Sequence, residues 1–83
     1  MTSKDLSKKE ILRKVKEISE IEFTNFKGKI SSKTLFDEME SRKLDEKEFV
    51  IQVEEFFEVR IAQRNLTKIL TVGDLVDHLH DII

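Results

Sequence analysis

The chain has no cysteine, proline, tryptophan or tyrosine, and only two glycines among 83 residues. Without cysteine there is no disulfide, no thiolate nucleophile and no thiol-ligated zinc, and a reducing compartment is compatible with the composition. Missing proline and scarce glycine remove the punctuation of a turn-rich sandwich or barrel. Together with a 39% share of charged residues they favour helices. No apolar run approaches the roughly 20 residues of a membrane span, and the opening MTSKDLSKKE lacks the apolar stretch of a signal peptide. A cytoplasmic protein is expected. Its length fits one domain, residues 1–83, with a single small core and no deep catalytic cleft.

The net charge of −2 hides a gradient, because residues 1–20, 21–45 and 46–83 carry +2, 0 and −4. A nucleic-acid binder of this size presents a basic face, whereas here the most regular segments grow more acidic toward the C-terminus. Neither nucleic acid nor a membrane span is therefore expected.

What is present is helical periodicity. Ile11, Leu12, Val15 and Ile18 recur at three- and four-residue spacing, which predicts an amphipathic helix over about 5–20. The period fails from Glu22 to Thr34, where Gly28 between two lysines and the hydroxyls of Ser31, Ser32 and Thr34 predict a long ordered loop. Such a loop must be pinned in so small a domain, and Leu35, Phe36 and Met39, with Phe23, Phe26 and Ile30, are the candidate anchors.

A second long helix is expected from about Asp45, its cap, to Glu58, with Phe49, Val50, Val53 and Phe57 inward. It carries Asp45, Glu46, Glu48, Glu54, Glu55 and Glu58 against Lys47, a local charge of −5. Residues 62–68 support one or two helical turns, with Ile61, Leu66 and Ile69 inward. Thr71 and Asp74 then form a capping-box pattern ahead of Val72, Leu75, Val76, Leu79 and Ile82, which predicts a last helix over 72–82.

No serine or threonine has a histidine in a triad context, and the paired glutamates lie on an exposed face. His78 and His80, two residues apart, point in different directions on a helix, so no metal site is expected. No enzymatic activity is expected.

The order of long helix, long loop, acidic helix, short helix and capped helix resembles the acyl carrier protein family, and the resemblance extends to motifs. The family's attachment region reads hydrophobic, hydrophobic, acidic, acidic, Leu, Gly, x, Asp, Ser, Leu, Asp. Here the matching stretch runs Leu35, Phe36, Asp37, Glu38, Met39, Glu40, Ser41, Arg42, Lys43, Leu44, Asp45. Without a gap, Glu48 falls on the family's recognition-helix glutamate, Glu54, Glu55 and Phe57 fit its Glu-Glu-Phe helix end, and ILTVGDLVDHL fits the final helix. The resemblance implies an all-α bundle of three longer helices and one short one, a monomer, and partners from an acyl, polyketide or peptide assembly system.

In this register Lys43 stands where the family has the serine that accepts 4′-phosphopantetheine, and Arg42 stands for the neighbouring aspartate. An amine cannot supply the hydroxyl oxygen of the phosphodiester, so no cofactor is expected. Lys43 is then either a solvated residue or a partner contact. Ser41, the one nearby hydroxyl, offers a displaced carrier site but breaks the register. The acidic helix face is either ordinary solvated surface or a docking surface for basic enzymes. Ile51 and Phe56 fall outside its inward stripe and mark an apolar spot beside the acids, unless Phe56 folds over the short third element into the core. Arg42, Lys43, Glu48, Ile51, Glu54, Glu55 and Phe56 are thus the candidate partner-binding residues. A helical adaptor unconnected with acyl chemistry is the remaining alternative.

Overall fold

In a computed structural model, residues 7–23, 26, 28–39 and 48–83 are described. They form α1 (Lys8–Glu22), α2 (Phe36–Met39), α3 (Glu48–Phe57), α4 (Gln63–Leu66) and α5 (Val72–Ile82). The fold is an all-α bundle in which three longer helices pack with α1 against both α3 and α5. Among the described residues no helix is long and apolar enough to cross a membrane.

Helix α1 begins later than the periodicity predicts because Ser7 is extended and closes a capping box. Its hydroxyl accepts from the Glu10 N–H at 3.3 Å, and the Glu10 carboxylate accepts from the Ser7 N–H at 3.2 Å. Its innermost residues are Ile11, Val15 and Ser19, while Leu12 and Ile18 are half-buried at the stripe's edge. The Ser19 hydroxyl is fully buried and has no hydrogen-bond partner among the described residues.

Helix α5 has the expected bounds and cap. Thr71 accepts from the Asp74 N–H at 3.0 Å, and Asp74 Oδ2 accepts from the N–H groups of Thr71 and Leu70, each at 3.1 Å. Those two bonds, Leu70 first, hold the Asp74 carboxyl below its ordinary pKa. Val72, Leu75, Val76 and Leu79 are buried, whereas the last apolar residue of the stripe, Ile82, is exposed.

The long connection is held by backbone as well as by side chains. Thr34, itself buried, receives the Ser31 N–H on its hydroxyl at 2.9 Å, which closes a turn. The carbonyls of Thr34 and Ser32 then accept from Val72 and Gly73 at 2.9 and 2.7 Å, and the Phe36 N–H donates to Leu70 at 2.9 Å. Leu35, expected as an apolar anchor, is instead exposed; it forms an antiparallel bridge with Thr71. Phe36 and Met39 are the side-chain anchors, and their turn is the single-turn helix α2.

Phe49 sits at the centre of the core, with its ring 5.2 Å from that of Phe23 and 5.5 Å from that of Phe36. One aromatic from α3 thereby ties both ends of the loop to the bundle. The remaining stripe of α3, Val50, Val53 and Phe57, is buried as its spacing requires, as are Ile61, Leu66 and Ile69 around α4.

Candidate functional site

Ser41, Arg42 and Lys43, with the expected cap Asp45, lie outside the described residues. The structure describes the rest of the candidate surface, which is α3 from Glu48 onward.

Glu48, Ile51 and Glu55 are exposed, and their separations of three and four residues put them on one side of the helix. Ile51 is thus an apolar side chain, 48% exposed, between two carboxylates. The other two candidates sit at opposite edges of this face. Phe56 does not enter the core and is 51% exposed. Its ring meets Phe57 edge-on at 5.0 Å, and the Lys14 ammonium from α1 stands 4.7 Å from its centroid. One face of the ring is therefore engaged inside the molecule. Lys14 also pairs with Glu17 at 2.8 Å, and that bond holds the Glu17 carboxyl below its ordinary pKa.

Glu54 turns the other way. Its Oε2 accepts the Ile61 N–H at 2.7 Å, so the carboxylate satisfies a backbone donor in the segment leading to α4. The same residue's carbonyl accepts from the Val59 N–H at 3.1 Å across Glu58, whose φ is +56°. A six-residue closure of this kind ends α3 with a left-handed residue, a place glycine fills more easily. Sequence spacing did not reveal either role of Glu54, because the N–H donors it serves, those of Val59 and Ile61, belong to the chain after the helix. The contact of Lys14 with Phe56 joins two helices distant in sequence and has no sequence signal.

Of the histidines, His80 is exposed and His78 half-buried, and no group of three or more His, Cys, Asp or Glu side chains able to hold a metal occurs among the described residues. The described candidates thus place two exposed carboxylates, Glu48 and Glu55, beside the half-exposed side chains of Ile51 and Phe56.

An all-α bundle in which α3 exposes Glu48 and Glu55 and the last helix opens on a Thr-Val-Gly-Asp cap is the architecture that the sequence resemblance implies. No protein-family model matches the chain. It is 32% identical over 75 residues to the acyl carrier protein of Lactobacillus acidophilus, an alignment covering 89% of this chain and 94% of that relative. The chain belongs to the acyl carrier protein family.

Proposed function

We propose that this member of the family does not carry 4′-phosphopantetheine and acts as a cytoplasmic, monomeric protein-binding module of an acyl, polyketide or peptide assembly system. The observation that carries this reading is Lys43. In a register that runs gapless through Leu44, Asp45 and Glu48, it occupies the position where the family resemblance puts the modified serine. Phosphopantetheine is attached through a hydroxyl oxygen, and an ammonium group offers none.

Binding is assigned to the face made by Glu48, Ile51 and Glu55, with Arg42 and Lys43 preceding the helix. Carboxylates around an exposed aliphatic side chain suit a partner with a basic rim and a small apolar pocket. The charges steer encounter, and the desolvated side chain provides the anchor. Glu54 contributes less than its exposed neighbours because its carboxylate is engaged by Ile61, and Phe56 contributes only the side that Lys14 leaves open.

Intact mass of the protein isolated from its native host tests the proposal. An unmodified mass is expected, together with no adduct after incubation with coenzyme A and a phosphopantetheinyl transferase. A phosphopantetheine-sized increase mapped to Ser41 would instead make the chain a carrier with a displaced site. Capture experiments from the same host should recover proteins of acyl or peptide synthesis, with recovery lost for Glu48→Lys/Glu55→Lys. Capture of unrelated proteins alone would favour the adaptor alternative.

A further inference from the structure

All the lysines and arginines of residues 48–83, namely Arg60, Arg64 and Lys68, fall in the stretch 59–73, which contains no Asp or Glu. Charge of one sign is thus gathered around α4, whereas along α1 the cations alternate with Glu10, Glu17 and Glu20. Every residue of the stretch is described, and the three cations are exposed. Helix α4 and the turn after it, closed by the Lys68 N–H on the Asn65 carbonyl at 3.0 Å, bury Leu66 and Ile69 and leave Arg64 and Lys68 outside.

We infer that this stretch docks an acidic segment of a partner protein, one with carboxylates on both sides of an apolar side chain. The gathered positive charge is the first observation, since it attracts a segment of the opposite sign. The second is that the carboxylates bordering the stretch are turned onto backbone donors. Glu54 accepts the Ile61 N–H at 2.7 Å, Asp74 those of Leu70 and Thr71 at 3.1 Å, and Glu38, on the segment bridged to it, that of Leu35 at 2.9 Å. None of the three pairs with Arg60, Arg64 or Lys68.

The third is Leu70, an apolar side chain 60% exposed two residues from Lys68. Its N–H is held by Asp74 and its carbonyl by the Phe36 N–H at 2.9 Å, so the side chain is presented on a fixed backbone and costs little to order. Two other anionic ligands fit less well. Three cations fall below the about four to eight of a lipid-binding cluster, and a flat anionic membrane would also meet the exposed Glu55 and Glu58 of the chain just before the stretch. A single phosphate needs donors that converge on a point, and these are spread from residue 60 to residue 68. The inference rests on α4 and its flanks, not on the α3 face or on the fate of Lys43.

Titration of the full chain at low salt with a capped pentapeptide, a leucine flanked on each side by two glutamates, tests it through amide chemical shifts. Saturable shifts are expected at Arg60, Arg64, Lys68 and Leu70, with a dissociation constant on the order of 1 mM that rises with added salt. The same peptide with glutamine in place of glutamate should bind at least about fivefold more weakly. Arg64→Glu/Lys68→Glu should weaken binding about tenfold and Leu70→Ser about threefold, the double variant at an unchanged melting temperature. Shifts as large at Lys9, Arg13 and Lys33, equal affinity for the glutamine peptide, or undiminished binding by the double variant would overturn the inference. So would shifts in the stretch with phosphatidylglycerol vesicles but none with the peptide, which would make it a lipid contact.

Discussion

Glu54 Oε2 receives the Ile61 N–H at 2.7 Å and so links the end of α3 to the segment that enters α4. Ile61 is buried, and its N–H is seven residues away from the carboxylate that satisfies it. A residue on an acidic face, where charge suggests a partner, thus has a structural task first. Glu54→Ala should lower stability by about 1–2 kcal/mol, the cost of leaving a partly buried donor unpaired, while Glu54→Gln keeps an acceptor and should lose less. Urea unfolding of both variants decides this, and equal stability for all three proteins would refute the role.

Glu58 adopts a φ of +56° at the close of α3, a region that costs a residue with a Cβ about 1–2 kcal/mol. Part of that strain is offset in Glu58→Gly by the greater freedom of the unfolded chain. The variant should gain about 0.5–1 kcal/mol, visible as a raised urea midpoint with an unchanged slope.

Gly73 makes the opposite case. Its φ is not positive, but a Cβ there would come within 2.8 Å of the Ser32 carbonyl oxygen, which also accepts the Gly73 N–H at 2.7 Å. The obstacle is backbone, so Gly73→Ala must push the Ser31–Thr34 turn off the start of α5. A loss of about 1–3 kcal/mol is expected in thermal or urea unfolding.

Asp74 couples α5 to pH. Its carboxylate accepts two backbone N–H bonds, which lower its pKa in the folded chain below the ordinary value. A depressed native pKa means that the stabilising contribution is complete above the unfolded value, about 3.9, and fades as pH falls through the native one. Asp74→Ala should therefore be less stable by about 1 kcal/mol near neutrality. The gap should narrow in acid, below pH ~4, and a gap that stays constant to the lowest pH at which both fold would contradict the assignment.

Val53 and Leu79 are wholly buried in the inward stripes of α3 and α5. Truncating either to alanine should cost about 2–4 kcal/mol, with Leu79 the larger because it leaves the larger cavity. Near-neutral values at both positions, read from denaturant midpoints, would be incompatible with the packing described.

Local signals in the chain were enough for α5, because its cap and its apolar period lie within a dozen consecutive residues. They were enough for the inward stripe of α3 and for the single turn at α4 for the same reason. The start of α1 was misplaced because apolar spacing locates the middle of a helix, while the Ser7–Glu10 box sets where it begins. Phe23, Phe36 and Ile30 were recognisable as loop anchors, but Leu35 was not separable from them, since composition does not say which neighbour forms a backbone bridge.

By itself the sequence determined the fold class and the helical periods of α3 and α5, since each is a matter of residue type and spacing. Only the tertiary structure decided that Glu54 serves Ile61 and that Lys14 covers one side of Phe56. Lys14 meets Phe56 because α1 docks on α3, and Glu54 meets Ile61 because the chain turns back at the end of α3; the physical reason both escape sequence reading is that the helical period encodes neither helix docking nor the path of the chain beyond a helix end.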